Sequence, residues 1–391
     1  MEAFAAGGLL PFLAQVPDPR SRHGRQHPLP AILAAVCCAM MCGAKSYAAI
    51  GQWVQDQDIK LMHRLGFTRR PPKEGGIRKV LIALSMKAFE QALTCWVEAT
   101  LGRPIAVETS LPQAYALDGK SARGSFDGLQ KAVHLLSLLA HESGLTLAQA
   151  VVPNGGEEKT NEHKAALRLL KDLVLEGRLV TGDAMFCQRD FCQQVIDARG
   201  DYLVFVKDNQ PTLLHDIQMA FAPPVEGAFS PRQQRLWDNA MDTVTTLDKG
   251  HGRRERRTLK ATTALNEYLD WPGVAQVGQV ESEVVKDGKT THETRYFITS
   301  VSRAVADAGQ LLKWARGHWS IENRSHYVRD VTMGEDASRI RKHSGPQVMA
   351  AFRNATIGLL RTMGVTNIAE ALRRNASQVG ELFARLGIFK Q

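Results

Sequence analysis

The sequence predicts a protein of the α/β (α+β) class. It should have a core with a mixed sheet, a helical N-terminal domain, a β-rich insertion and a helical C-terminal tail. Three observations predict it. Residues 30–102 carry apolar stretches at helical spacing, short strands and helices alternate from residue 113, and residues 220–300 have a strand-like pattern. An alternation of strands and helices is typical of a sheet covered by helices.

The N-terminal domain, residues 1–110, is predicted to be helical because apolar residues recur at helical spacing in ILAAVCCAMM, YAAIGQWV and FEQALTCWVEATLG. The apolar run PAILAAVCCAMMCGA is well short of the roughly 20 residues that span a bilayer. It therefore predicts a buried core helix.

The core begins at residue 111 and its first part ends at 219. Strands are predicted at AYALDGK, VHLLSLLAH, LTLAQAVV, RLVTGDA and DYLVFVK, and helices at NEHKAALRLLKDLVLEG and RDFCQQVIDAR. No glycine-rich phosphate loop of the two common types occurs in the sequence, which argues against a nucleotide-dependent activity.

The β-rich insertion, residues 220–302, contains the strand-like stretches RTLKATTAL, AQVGQVESEVV and THETRYFITS. Residues 303–391 return to helical spacing. DAGQLLKWARGHWSIENRSHYVRDV is predicted to form one long helix, and ASRIRKHSGPQVMAAFRNATIGLLRTMG and NIAEALRRNASQVGELFARLG are predicted to be basic amphipathic helices.

Composition favours an anionic partner. The 391 residues include 49 Lys and Arg against 40 Asp and Glu, a net charge of +9. Clustered positive charge attracts polyanions and releases their counterions, so nucleic acid is the first candidate, with a merely basic enzyme as the alternative. The six cysteines form no CxxC pair, which predicts reduced thiols in a cytoplasmic protein and argues against structural zinc.

Three carboxylates are candidates for a metal site. Asp118 in ALDGK and Asp183 in VTGDAM each follow a predicted strand, where ligand crevices form in α/β sheets. Glu322, on the predicted long helix, could reach the same place. Three such groups would suit two Mg²⁺ ions and in-line phosphoryl transfer. Each residue alone is also explained as a turn aspartate or a solvated glutamate.

The helix around Glu322 has a second interpretation. On a regular helix, His318, Glu322, His326 and Arg329 share one face. A His-Glu-His set suits zinc better than magnesium, and we regard it as the weaker alternative. Glu335 and Asp336 are candidates for another third carboxylate, although a helix cap or a salt bridge is the preferred interpretation.

Several blocks resemble one protein family in sequence and in order. They are DPRSRHGRQHPLPAILAAVCCAMMCGAKSYAAIGQW, ALDGKSARGS, KTNEHKAALRLL, VTGDAMFCQRDFCQQVIDARGDYLVFVKDNQPTL, GHGRRERRTL and GHWSIENRSHYVRDVTMGEDASRIR. The chain resembles bacterial insertion-sequence DDE transposases of the RNase H-like superfamily, in the ISAs-type group that includes the H-repeat-associated proteins. The blocks cover nearly the whole chain.

The resemblance implies an RNase H-like core, with Asp118, Asp183 and Glu322 as the acidic triad and two Mg²⁺ ions, for which Mn²⁺ can substitute. It implies cleavage of double-stranded DNA at transposon ends and strand transfer into target DNA, by a homodimer in the cytoplasm on the nucleoid. Related enzymes carry Tyr, Arg and Lys where this chain has Ala315, His318 and Arg329.

Candidate DNA contacts follow from charge and from the resemblance. They are Lys120, Arg123, Lys207, Asn209, Gln210, Arg253, Arg254, Arg257, His318, Trp319, Asn323, His326, Arg329, Arg339, Arg341 and Lys342. For the arginines of GHGRRERR the alternative is a salt-bridged β-surface, for Lys120 and Arg123 a solvated turn, and for Trp319 core packing.

Two other functions stay open. One is a non-catalytic, domesticated transposase that binds DNA, and the other is a stand-alone metal-dependent DNA nuclease. Hydrolysis and strand transfer use the same metal ions, so sequence alone does not separate them.

Overall fold

The computed structural model describes residues 8–101, 111–126, 131–153, 161–171, 173–222, 241–250, 252–319 and 321–388. The chain divides into two compact units. The first unit comprises Met1–Val107, Gly119–Asn161 and Ile321–Gln391, and the second comprises Glu108–Asp118 and Glu162–Ser320. The division falls within one strand, directly after Asp118.

The helices of the described residues fall in three stretches of the chain. They are α1 (Leu10–Leu13), α2 (Leu29–Met41), α3 (Tyr47–Asp56), α4 (Ile59–Arg64), α5 (Glu74–Ala83), α6 (Met86–Leu101), α7 (Glu162–Lys171), α8 (Arg189–Asp197), α9 (Pro211–Phe221), α10 (Ala308–His318), α11 (Gly345–Thr362), α12 (Ile368–Ser377) and α13 (Val379–Arg385). The helical N-terminal and C-terminal regions predicted from the sequence are confirmed.

The strands alternate with helices in the middle of the chain and then follow one another. They are β1 (Gln113–Ala122), β2 (Val133–Ala140), β3 (Thr146–Val152), β4 (Arg178–Gly182), β5 (Asp201–Val206), β6 (Asp242–Gly250), β7 (Arg253–Thr262), β8 (Gln276–Lys286) and β9 (Lys289–Thr299). Their order is β3-β2-β1-β4-β5-β9-β8-β7-β6. The sheet is mixed, with β1, β4 and β5 parallel, and the predicted fold class is confirmed as a mixed α/β protein with helical N-terminal and C-terminal regions.

In the second unit, β1 pairs in parallel with β4 and β4 pairs in parallel with β5. Strand β9 then pairs with β5 in the antiparallel sense, and β8, β7 and β6 follow as antiparallel neighbours. The strands predicted within residues 252–300 therefore extend this sheet, and β6 is a strand that the sequence did not predict. Residues 223–240 and 251 of the predicted insertion lie outside the described residues.

One apolar core of the second unit lies between this sheet and helix α10. Leu203 and Phe205 of β5, Phe297 of β9 and Leu311 and Trp314 of α10 are all buried in it. Half-buried and exposed positions alternate along β6, β7 becomes buried towards its end, and α10 carries an apolar stripe; together these features explain the packing. Strand β5 is buried over most of its length, as expected for a central strand.

The first unit is built around two apolar helices. Helix α2 is buried at all but one of its positions, and α11 is buried from Val348 to Leu360. The rings of Phe89 on α6 and Phe352 on α11 lie 4.4 Å apart. The prediction of a basic amphipathic helix here was wrong, because the basic residues precede α11 and the helix itself is a core element.

The predicted long helix around Glu322 was also wrong in part. Helix α10 ends at His318, and the described chain continues as two π-helical turns, Glu322–His326 and Val328–Thr332. The N–H of Met333 donates to the carbonyl of Val328 at 2.9 Å, a bond from residue i to i+5. We call residues 321–332 the π-helical segment.

All six cysteines are free thiols, and four of them are buried. Among the described helices, none is by itself long and apolar enough to cross a membrane. Glu74–Ala83 and Met86–Val97 satisfy those criteria only when they are taken together, and they are bent by 93° relative to each other.

Candidate active site beside the last pair of two parallel strands

Asp118 and Asp183 occupy equivalent positions directly after the paired residues of two neighbouring parallel strands. Strand β4 ends there, but β1 continues to Ala122, so the prediction that its strand ends at Asp118 is wrong. The last paired residues of β1 and β4 are Leu117 and Gly182, and the two aspartates follow directly. Equivalent residues of parallel strands point to the same face of the sheet, so the register brings these two carboxylates together. Both side chains are half-buried. This edge is where α/β sheets commonly bind ligands.

The backbone around Asp183 fixes the direction of its side chain. Its carboxylate accepts a hydrogen bond from the N–H of Met185 at 2.9 Å and so caps a short 3₁₀ turn, Ala184–Phe186. Burial raises the pKa of Asp183, and the hydrogen bond from Met185 opposes this only in part. A carboxylate that has lost part of its hydration gains more from a bound cation than a fully solvated one does.

Asn209 and Gln210 support this turn. The Asn209 side-chain amide donates to the carbonyl of Ala184 at 2.6 Å, and the Gln210 amide donates to the carbonyl of Cys187 at 2.9 Å. Both residues follow β5, the neighbour of β4. They therefore brace the backbone behind Asp183, a task that the sequence did not indicate; their contact with DNA stays a prediction.

The strand-end pair fits a hard divalent cation. Two carboxylates supply oxygen ligands, and Mg²⁺ in proteins commonly binds one or two carboxylates and keeps several waters. Among the residues that the structure describes, no group of three or more His, Cys, Asp or Glu side chains could hold a metal ion. This holds for the zinc alternative of His318, Glu322 and His326 and equally for Asp118, Asp183 and Glu322 as a complete set of three, so both sets stay predictions.

Glu322 belongs to the first unit and begins the π-helical segment. Its side chain is exposed, and its carbonyl accepts a hydrogen bond from the N–H of Tyr327. π-helical turns inside helices are rare and are frequently found at functional sites. The predicted common face of His318, Glu322, His326 and Arg329 is wrong, because that face requires an α-helical spacing that the segment does not have.

The prediction that His318 contacts DNA needs correction. His318 is 3% exposed, its Nδ1 lies 3.2 Å from the hydroxyl of Thr181, and its ring packs against Phe205 and Trp319. Burial lowers the pKa of His318 to about 4, so the imidazole is neutral at pH 7. A buried neutral ring stabilises the core of the second unit and is unsuited to hold a phosphate.

Trp319 has the core role that the sequence left as an alternative. Its ring lies 4.6 Å from that of Phe205, and the guanidinium of Arg295 stands 3.9 Å above it. His326, predicted to face DNA, is half-buried. Burial, with the positive charges of Arg329 and Lys120, lowers the pKa of His326 to about 3, so this imidazole is also neutral.

The prediction that Arg329 contacts DNA is wrong. Arg329 has no exposed surface and makes two hydrogen bonds with Glu335, at 3.0 and 2.6 Å. Arg353 of α11 approaches the same carboxylate at 3.3 Å. Glu335 itself is 2% exposed, so the salt bridge expected for it is confirmed. The three side chains form a buried ionic cluster, which we call the Glu335 cluster.

Lys120 is not a free phosphate-binding side chain either. It is 9% exposed, and its ammonium lies 2.7 Å from the carboxylate of Asp330. The sequence does not indicate the role of Asp330, because no local pattern links two residues that lie 210 positions apart. Arg257 is similarly engaged by Asp248, at 2.9 Å, and by Glu255, as the salt-bridged alternative proposed.

The other predicted DNA contacts are on the surface. Exposed side chains among them are Arg123, Lys207, Asn209, Arg253, Arg254, Asn323, Arg339, Arg341 and Lys342. Arg253 lies 3.7 Å from Glu255, a weak surface pair. Gln210 is half-buried in the contact described above.

The fold and this site define a class, that of α/β proteins with acidic residues at adjacent strand ends of a mixed sheet. The family described as "Transposase DDE domain" matches residues 109–359, and the family "DDE_Tnp_1-associated" matches residues 10–97. The chain belongs to the DDE transposase family.

Curated relatives agree over most of the chain. A putative transposase, YncI, of Escherichia coli O157:H7 is 31% identical over 363 residues, which cover 90% of this chain and 87% of the relative. The H repeat-associated putative transposase YhhI of Escherichia coli K12 is 26% identical and covers 90% of both chains. A solved structure, a piggyBac transposase synaptic complex with hairpin DNA, matches with 8% identity and a TM-score of 0.40. The match covers 90% of this chain and 71% of the piggyBac chain, and its TM-score is too low to define a common fold.

Proposed function

We propose that this transposase cuts DNA at the ends of a mobile element and joins the freed 3′ ends to target DNA, with Asp118, Asp183 and Glu322 as its acidic residues. The observation that carries the proposal is the register of β1 and β4, which puts two carboxylates at one strand-end edge. Membership of the DDE transposase family supports the same assignment.

Asp118 and Asp183 would hold a divalent cation, Mg²⁺ or Mn²⁺, and Glu322 would be the third carboxylate. When bound, such cations activate the attacking oxygen and stabilise the leaving oxygen of a phosphodiester. The chain's own task is positioning. The capped turn at Asp183 and the amides of Asn209 and Gln210 keep that carboxylate fixed, so little reorganisation is required when DNA arrives.

Exposed basic residues would hold the DNA backbone. Arg339, Arg341 and Lys342 are exposed on the loop before α11, and Lys207 is exposed at the end of β5. Contacts of this kind are independent of sequence and weaken with salt. Because transposition pairs two element ends, we propose that the chain acts as a homodimer on DNA, which the mass of the DNA complex would test.

The test uses the full-length chain, a labelled DNA carrying one element end with its flank, an unlabelled target DNA, and Mg²⁺ or Mn²⁺. The expected result is a cut at the element end, followed by joined products. Asp118→Asn, Asp183→Asn and Glu322→Gln should each lose cleavage while DNA affinity stays close to that of the parent chain. Asp197→Asn, an exposed carboxylate of α8, is the matched control and should cleave normally.

Each alternative gives a different outcome. Cleavage that persists in any of the three variants rejects the triad. Cutting without joined products indicates a stand-alone nuclease. DNA binding by the parent chain without any metal-dependent cutting indicates a non-catalytic, domesticated protein.

A further inference from the structure

Lys120, which is 9% exposed, and half-buried Asp330, which is 26% exposed, form a salt bridge between two parts of the first unit. The Lys120 ammonium lies 2.7 Å from each carboxylate oxygen of Asp330 and 4.0 Å from Asp336. Lysine is almost never this buried unless it is paired. The Lys120 side chain is therefore committed to a protein partner, with little surface left for a phosphate.

The two ends of the bridge lie close in the chain to proposed acidic residues. Lys120 follows Asp118 by two positions in β1, so both side chains stand on one face of the strand. Asp330 belongs to the π-helical segment, which begins at Glu322. Within the first unit, one salt bridge thus ties the part of β1 that follows Asp118 to the segment that begins with Glu322.

The chain beyond each end of the bridge is packed as well. Gly124, just after β1, has no room for a side chain, because a Cβ atom there would lie 2.1 Å from the carbonyl oxygen of Ser338 and 2.8 Å from that of Asp336. The guanidinium of Arg341 donates to the carbonyl of Gly124 at 3.3 Å. These contacts hold the loop after the π-helical segment against the end of β1, independently of Lys120.

We propose that Lys120 and Asp330 are positioning residues for the DNA cleavage reaction, and that their salt bridge fixes the π-helical segment, with Glu322, to strand β1. Lys120 acts through Asp330 and does not grip DNA. This inference rests on the proposed function, because its importance depends on Glu322 acting together with Asp118.

The experiment compares Lys120→Met, Asp330→Asn, the double variant, and Lys120→Arg in the full-length chain. Three quantities are measured: amide hydrogen exchange of residues 321–332 without metal or DNA, affinity for labelled element-end DNA, and the single-turnover cleavage rate at saturating DNA. Lys60→Met, at an exposed lysine of α4 outside the proposed DNA-binding residues, is the matched control. Rates are taken well below the thermal midpoint of every variant.

Both single variants should exchange amide protons of the segment faster and should cleave about 10- to 100-fold more slowly, since small misplacements of reacting groups cost this much. The double variant should be no worse than either single variant, because both remove the same interaction. Lys120→Arg keeps the charge and should restore most of the rate. DNA affinity should change less than about twofold in all four, and Lys60→Met should leave segment exchange, affinity and rate at the values of the parent chain.

Unchanged exchange in Lys120→Met and Asp330→Asn would overturn the inference. So would a Lys120→Met variant that loses DNA affinity while Asp330→Asn stays normal, since Lys120 would then contact phosphate. Additive rate effects in the double variant would also overturn the inference, because the two side chains would then act independently. A parent chain that never cleaves DNA refutes the proposed function, and in that case the exchange measurement alone decides whether the bridge fixes the segment.

Discussion

Replacing Glu335 with glutamine tests the Glu335 cluster, because it removes the one negative charge between two buried arginines. Glu335 is 2% exposed, Arg329 0% and Arg353 2%, so water cannot replace the lost charge. Breaking a buried ion pair by removing one partner costs about 3–5 kcal/mol. A folding unit of about this size shifts by about 2–4 °C per kcal/mol, so the thermal midpoint should fall by roughly 6–20 °C.

The pH dependence gives the same prediction a second test. Burial alone would raise the pKa of the Glu335 carboxyl, but the positive charges of Arg329 and Arg353 outweigh it and hold that pKa below 4.5. A lowered pKa stabilises the fold above the pKa of the unfolded chain, and this stabilisation is lost as the pH falls through the folded value. The difference between the parent chain and Glu335→Gln should therefore be complete at pH 7 and shrink below about pH 4.

Glu293→Gln is the matched control for the same change. Arg295 also donates two hydrogen bonds to Glu293, at 2.6 and 2.7 Å, but the two side chains are 32% and 55% exposed. An exposed pair contributes about 0–1 kcal/mol. Thermal unfolding followed by circular dichroism measures both variants. A midpoint in Glu335→Gln no lower than that of Glu293→Gln would refute the reasoning about burial.

Two further predictions concern packing and protonation. Gly124→Ala should lower the free energy of unfolding in urea by about 1–3 kcal/mol, because its Cβ would collide with the backbone of Ser338. The control Gly75→Ala, in α5, has open space for a Cβ and should be neutral or stabilising. Equal effects of the two substitutions would contradict the close approach at Gly124. Since burial lowers the pKa of His318 to about 4, the unfolded chain binds a proton below about pH 6.5 that the folded chain refuses, and stability should fall between pH 6.5 and 4. His318→Gln should reduce the dependence of the thermal midpoint on pH in this range, whereas the control His292→Gln, at an exposed histidine, should not. The same pH dependence in both variants would contradict this prediction.

The strands that carry Asp118 and Asp183 were predictable because their signal is local. ALDGK and VTGDAM each combine an apolar run with an aspartate, and the adjacency of the two aspartates follows from the parallel pairing of β1 with β4. The length of β1 was not predicted, because it continues past Asp118 to Ala122. Helix α11 was misjudged for a local reason too. The charges of Arg339, Arg341 and Lys342 were assigned to the helix, although they belong to the loop before it.

The burial of Arg329 and Lys120 was not predictable from sequence. Arginine and lysine are usually exposed, and each became buried here because a carboxylate reached it. Glu335 is only six residues from Arg329, but the chain between them includes the end of a π-helical turn. Such turns are rare, and the residue pattern of this stretch predicted a regular helix instead. The contact of Lys120 with Asp330 depends on the tertiary fold alone.

The π-helical segment also sets the angular phase of everything that follows Glu322. A π-helical turn is in effect an α-helix with one residue inserted, so each turn rotates the downstream side chains by about 100°. The first turn, Glu322–His326, lies wholly before Asp330 and rotates it by about 100° relative to an uninterrupted helix of the same length, and Asp330 itself lies within the second turn. Removing one residue between Glu322 and Asp330 would therefore make the helix more regular and turn Asp330 away from Lys120. At this place in the chain, the number of residues is as much a determinant of the geometry as their identity.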